Sequence, residues 1–148
     1  FRPVKDWHDP VGAAALAQVT AAGATFQRRA GRTPSKGIIY YSDGRVAPAI
    51  HAAVCAQVDQ AGLPVTAAVL REGTYPAHWR VLRLDGDRGY VQMFRQILAA
   101  LEASTADVIF HCEHDVLYHP SHFDFTPDSE TVFYYNEATW KVTTVSLE

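Results

Sequence analysis

Apolar and polar positions along the chain alternate between short apolar runs and amphipathic stretches. Gly37-Ile-Ile-Tyr-Tyr-Ser42 is an apolar run closed by the turn pair Asp43-Gly44, and it predicts a short buried strand. Residues 48–60 predict a helix, with Ile50, Val54 and Val58 spaced by four along one face and Gly62 as the stop. Pro64-Val-Thr-Ala-Ala-Val-Leu70 predicts a second strand. The alternation in Trp79-Arg-Val-Leu-Arg-Leu84 predicts a third, before the turn Asp85-Gly86-Asp87. Residues 90–103 carry the clearest helical period: Tyr90, Phe94, Ile97, Leu98 and Leu101 make one stripe, expected to face the core. Residues 107–112 then predict a central strand, and residues 131–135 another.

Upstream of these, Asp9 suits a helix cap, Pro10 the first helical turn, and the alanine-rich residues 11–22 run to Gly23. The apolar stripe there is weak, which predicts a satellite helix. A polar, basic connector at residues 27–36 separates it from the rest. The expected organisation is therefore a helix and connector over residues 1–36 and an α/β domain over residues 37–148. Strand, helix, strand, repeated, implies parallel pairing with helices on the sheet faces, hence a Rossmann-like α/β sandwich. No G-x-G-x-x-G follows the first strand and no Walker lysine motif occurs, which argues against classical dinucleotide and P-loop phosphate binding.

Composition narrows the class. A chain of 148 residues, 48% hydrophobic and 20% charged, fits an ordinary globular domain able to bury a core. The net charge of -3 gives no general attraction to nucleic acid or an anionic membrane. Arg28, Arg29, Arg32 and Lys36 form a local basic cluster, but without interleaved aromatics it reads as a solvated linker. Cys55 and Cys112 make no disulfide framework and read as small core residues of a reducing compartment. No apolar run reaches the ~18 residues of a membrane span. Phe1-Arg-Pro-Val-Lys-Asp-Trp7 lacks the basic start and continuous apolar region of a secretory signal, so a cytoplasmic protein with a trimmed N-terminus is expected.

The chemistry concentrates where the apolar run Val108-Ile-Phe110 leads into Glu113-His114-Asp115, with four of the seven histidines between positions 111 and 122. In an extended chain residues i and i+2 point the same way, so Glu113 and Asp115 are expected to project together and His114 opposite. Ligands of open α/β sheets bind outside the carboxyl ends of the strands, where this pair falls. Three readings stand. The carboxylates hold Mg²⁺ or Mn²⁺, with substrate phosphates in the remaining positions. Alternatively His111, Cys112, His114, His119 and His122 supply a zinc site, although neither Cys-x-x-Cys nor His-Glu-x-x-His is present and Pro120 interrupts a helical pair. In the third, the acids are solvated and the histidines line a turn.

Tyr40-Tyr41-Ser42-Asp43 ends the first strand with an aromatic platform and a carboxylate, able to stack a base and accept a hydrogen bond from its edge or from a ribose. The plain alternative is one core tyrosine and an Asp-Gly turn. Arg88, just ahead of a helix N-terminus, suits a phosphate or an acidic group, or is solvated beside a capping Asp87. Met93 reads as packing. Ser42, Ser104 and Ser121 lack a nucleophile-elbow context, and Cys112 reads as buried rather than as a nucleophile.

The run Arg88-Gly-Tyr-Val-Gln-Met-Phe-Arg-Gln-Ile-Leu-Ala-Ala-Leu-Glu-Ala-Ser104, followed by Ala106-Asp-Val-Ile-Phe-His-Cys-Glu-His-Asp-Val-Leu-Tyr-His-Pro-Ser-His-Phe-Asp-Phe125, resembles bacterial and phage GT-A-type glycosyltransferases. The resemblance spans residues 37–141, with Tyr134-Tyr-Asn136 and Trp140-Lys141 as its last landmarks. It implies a nucleotide-sugar-binding domain whose D-x-D-like element is Glu113-His114-Asp115, glutamate replacing the first aspartate. It further implies that Asp115 coordinates Mn²⁺ or Mg²⁺ directly and that Glu113 acts through water or towards the sugar. Tyr41, Ser42 and Asp43 fall where such folds hold the base, with Arg88 beside them. The implied partners are a UDP- or GDP-type sugar donor and an acceptor the residues do not specify. Such enzymes usually continue into an acceptor-binding half, so a donor-binding half is the expectation for a chain ending at Glu148. The alternative function within the same fold is a non-catalytic nucleotide-binding or assembly module.

Overall fold

The apolar runs pair as parallel strands. The computed structural model describes residues 2–3, 33–129 and 132–137, so the helix expected at residues 9–22 lies outside the described residues. In chain order the elements are β1 (Arg2–Pro3), β2 (Lys36–Ser42), α1 (Pro48–Asp59), β3 (Val65–Val69), β4 (Arg80–Arg83), α2 (Tyr90–Ala103), β5 (Val108–Glu113), a one-turn 3-10 helix at Pro120–His122, and β6 (Tyr134–Tyr135). Two compact units are formed, Phe1–Gly31 with Pro127–Glu148, and Arg32–Thr126.

The unit Arg32–Thr126 holds a four-stranded, all-parallel sheet in the order β4-β3-β2-β5, flanked by helices. Register places Tyr41 opposite Ala68 on β3 and opposite Glu113 on β5. β3 is apolar apart from Thr66, and all five of its residues are buried, as for a strand covered on both faces. β5, expected at the centre, lies at the edge instead. Only Phe110 and Cys112 of that strand are buried, while His111 and Glu113 between and after them are exposed. Alternation of this kind marks a strand with one covered face.

On one face α1 contributes Val54, Cys55 and Val58 to a core with Ile38, Tyr40, Val65, Val69, Trp79, Phe110, Cys112 and Phe123. Ile50, expected on that stripe, is 43% exposed at the start of the helix. Polar groups in this layer are paired. The Trp79 indole donates to Asp59 at 2.9 Å. His51 lies 3.0 Å from the Thr74 carbonyl through Nε2 and 3.3 Å from the Tyr40 hydroxyl through Nδ1. A proton on Nε2 serves both contacts: it goes to the carbonyl, and Nδ1 accepts from Tyr40.

The second face corrects the reading of α2. Of its apolar stripe only Ile97 packs against the core, while Tyr90 is 83%, Phe94 62%, Leu98 54% and Leu101 42% exposed. The buried residues of α2 are Gln92, Gln96 and Ala100. The reason lies in what the sheet offers at this position. Gln96 donates from one amide nitrogen to the carbonyls of Ser42 and Ala68, both at 2.8 Å. Ala100 is small enough to let the helix approach Ile39 and Ala68. Gln92 donates to Asp85 at 3.0 Å and so fastens the loop ahead of the helix.

In the other unit β6 pairs antiparallel with β1, Tyr135 opposite Arg2 and Tyr134 opposite Pro3, and the Tyr134 hydroxyl donates to Asp128. The strand expected over residues 131–135 is thus confined to Tyr134–Tyr135 and stands outside the parallel sheet. A further parallel strand would need a crossover, and the described residues between β5 and β6 hold only the turn Pro120–His122.

Candidate functional site

At the carboxyl ends of β2 and β5, side chains from several elements line a cleft of about 210 Å³. β2 supplies Tyr41 and, one residue past its end, Asp43; the loop before α2 supplies Arg88, and α2 itself Tyr90, Met93 and Gln96. The turn after β5 supplies His114. Asp43 is the hub. Its carboxylate forms an ion pair with Arg88, Nε at 2.9 Å, accepts from the Arg45 backbone N–H at 3.0 Å, and lies 3.8 Å from His114 Nε2. The Asp43 side chain is only 11% exposed, whereas that of Arg88 is 66% exposed. The acid is therefore held in the cleft wall while the guanidinium reaches towards solvent.

Of the residues singled out in the sequence, Tyr41, Asp43 and Arg88 come together here. Ser42 does not line the cleft. It is fully buried, and its hydroxyl accepts from the Gly44 N–H at 3.0 Å, which shapes the loop that presents Asp43.

Glu113 and Asp115 stand beside the cleft, both exposed. Glu113 closes β5 opposite Tyr41, and Asp115 follows in a turn, so the alternation expected through this tripeptide stops at Glu113. His114, expected on the opposite side, consequently lines the cleft. Its Nδ1 is buried without a hydrogen-bond partner among the described residues. The two carboxylates act together on Tyr41. Burial first, then hydrogen bonding to Glu113 and the charges of Glu113 and Asp115, raise the pKa of the Tyr41 hydroxyl above the ordinary phenol value. The hydroxyl is therefore a donor throughout the physiological range. The His111 ring packs on Tyr41 at 5.1 Å between centroids and steadies it.

The softer ligands are dispersed. Cys112 is in the core, where burial pushes its thiol up to about 12, so it is neither thiolate nor nucleophile at neutral pH. His119 bonds Ser121 Oγ at 2.9 Å, and His122 packs among Phe110, Tyr118 and Phe123. Among the described residues no three His, Cys, Asp or Glu side chains gather to hold a metal ion. A hard cation needs less from the protein: one or two exposed carboxylates, with water and phosphate oxygens completing the shell. Glu113 and Asp115 are a donor set of that kind.

Sequence reasoning missed Gln96, Leu70, Arg45 and Arg71 as neighbours of the site. The arginines carried a usable signal, since each lies within three residues of a strand's end. Gln96 carried none, being a polar residue in a helix whose apolar stripe lies elsewhere.

Comparison of the chain with protein-family models, curated proteins and solved structures finds no match. Among the described residues no helix is long and apolar enough to cross a membrane.

Proposed function

We propose that this chain is the donor-binding domain of a metal-dependent glycosyltransferase with a Rossmann-like, GT-A-type architecture. It would bind a UDP- or GDP-type nucleotide-sugar for transfer to an acceptor. One observation carries the reading: Tyr41, Asp43, Arg88 and His114 converge on a single cleft at the carboxyl ends of parallel strands, with the Glu113 and Asp115 carboxylates at its border. Such strand ends are where open α/β sheets bind their ligands. The Tyr41 and Tyr90 rings, with Met93 and Leu70, offer a base an apolar seat, and Asp43 offers its edge or ribose an acceptor. Glu113 and Asp115 would hold Mn²⁺ or Mg²⁺, which when bound offsets charge on the diphosphate leaving group. Arg88 adds a guanidinium at the same rim.

The test is a thermal-shift panel of UDP and GDP with and without Mn²⁺. Stabilisation that requires both nucleotide and metal, and that Asp115→Asn removes, is the expected result. Melting temperatures unmoved by every nucleotide in the presence of metal overturn the reading. Nucleotide binding with donor hydrolysis and transfer at background identifies instead the non-catalytic module. Stoichiometric zinc in untagged protein identifies the histidine-based alternative.

A further inference from the structure

Beside the apolar cleft lies a second, polar cavity of about 190 Å³, sharing Asp43 and Arg88 with it. Three arginines line this cavity, one from beyond the carboxyl end of each of three adjacent parallel strands: Arg45 after β2, Arg71 after β3 and Arg88 after β4. From the geometry we infer that these arginines form a phosphate cradle that works without a metal ion.

The charges in this corner are already sorted. Glu72, the acid next to Arg71, is taken by Arg83 at 2.8 Å. Asp43 is taken by Arg88 through Nε at 2.9 Å, and the Arg88 side chain is 66% exposed, so its guanidinium stays open to a ligand. The guanidinium groups of Arg45 and Arg71 form no ion pair with any described residue. Against three guanidinium groups the lining sets two carboxylates, Asp43 and Asp87, so the cavity keeps a positive excess.

The backbone is arranged to hold Arg71 there. Gly44 has φ of +72°, and a Cβ at this position would fall 2.6 Å from Arg71 Cβ. The Asp43-Gly44-Arg45 turn therefore lies directly on the Arg71 stem, an approach open only to glycine. On the other side the N-terminus of the 14-residue α2 has no side-chain cap, and Gly86 in the loop ahead of it lines the cavity. The helix start itself, Gly89 and Tyr90, lines the neighbouring apolar cleft, so the arginine side chains supply the positive charge of this cavity. Planar guanidinium forks from three directions suit the tetrahedral, multiply accepting oxygens of phosphate better than a planar carboxylate.

Glu113 ends β5 and Asp115 follows it, beyond β2 at the opposite end of the sheet order from β4. Phosphate held by the arginines is thus held apart from the acid pair. That the phosphate belongs to a nucleotide rests on the function proposed above; the cradle itself does not.

The experiment is calorimetric titration of the full chain with inorganic pyrophosphate in EDTA. Saturable binding is expected. Arg71→Gln and Arg45→Gln should each weaken it by about ten-fold or more, whereas Arg95→Gln, which removes the same charge from an exposed site on α2, should change it less than about two-fold. Arg45 is included because its stem does not underlie the Gly44 turn, so its variant tests the cradle should Arg71→Gln fail to fold. No pyrophosphate binding by the wild-type chain, binding only with Mn²⁺, or equal affinity in Arg45→Gln overturns the inference. Pyrophosphate bound in EDTA with no metal-dependent nucleotide shift leaves the cradle standing and removes the nucleotide reading. The reverse pattern removes the cradle alone.

Discussion

Replacing Gln96 by leucine isolates the contact that fastens α2 to the sheet beneath the cleft. The side chain is 2% exposed, and its amide donates to Ser42 O and Ala68 O at 2.8 Å each. Leucine has nearly the same volume and keeps the packing, so the loss is the two hydrogen bonds. Ser42 O retains the Leu70 N–H at 3.1 Å, which spares it full desolvation without a partner. At roughly 0.5–1.5 kcal/mol net per bond, with the added burial of leucine offsetting part, the expected destabilisation is about 2 kcal/mol. For a chain of this length that lowers Tm by roughly 6 °C. Urea titration followed by the fluorescence of Trp79, which is 5% exposed, measures it, with an unchanged m-value showing that the folded state is otherwise intact. Gln96→Glu adds a sign. Only the protonated acid can donate to a carbonyl, so its folded pKa rises above the unfolded value of about 4.3. The variant is then most stable below that pH and loses stability as pH rises through its folded pKa. A leucine variant within about 0.5 kcal/mol of wild type would refute the account of how α2 is held.

Gly44→Ala should cost about 2–3 kcal/mol, from the left-handed backbone and the contact with Arg71 together. Gly62→Ala, at φ +63° with nothing within 4 Å, should cost only the backbone part, so equal losses in denaturant melts would remove the contact from the explanation. Burial among aromatic rings lowers the pKa of His122. Its contribution is present above the unfolded value of about 6.5 and is lost as pH falls through the lower folded value. His122→Phe should therefore narrow the drop in Tm between pH 7.5 and pH 5; an unchanged drop assigns the acid sensitivity elsewhere.

The strands and helices of the unit Arg32–Thr126 were legible because each depends on local pattern. The run Gly37-Ile-Ile-Tyr-Tyr-Ser42 and the turn after it can only be extended and covered, and α1 and α2 appear with bounds that match their periodicity to within a residue. Tyr41, Asp43 and Arg88 were legible as candidates because they stand at a strand end and a helix start, and they line one cleft. The order of strands was not. β5 is as apolar as a central strand over Val108-Ile-Phe110, yet nothing within it records which neighbours it has. The site's other contributors were hidden for the same reason: Arg71 follows β3 and His114 follows β5, and only the register of β2 between them brings both near Asp43.

Periodicity determines that residues 90–103 are helical, since a 3.6-residue repeat has no other stable form, and composition determines that the chain can fold around a core. Which side of that helix faces the sheet was decided only in three dimensions. Two strand-end carbonyls needed a donor and Ile39 and Ala68 needed a close neighbour, and Gln96 and Ala100 met both needs where Phe94 and Leu98 could not. The acid pair likewise was written in the sequence, but its setting was not. The turn after Glu113 sends His114 into the cleft, and the loops after β2, β3 and β4 bring three arginines to one cavity. Residue types and local conformation are properties of the chain; their convergence is a property of the parallel sheet, which aligns the carboxyl ends of strands far apart in sequence.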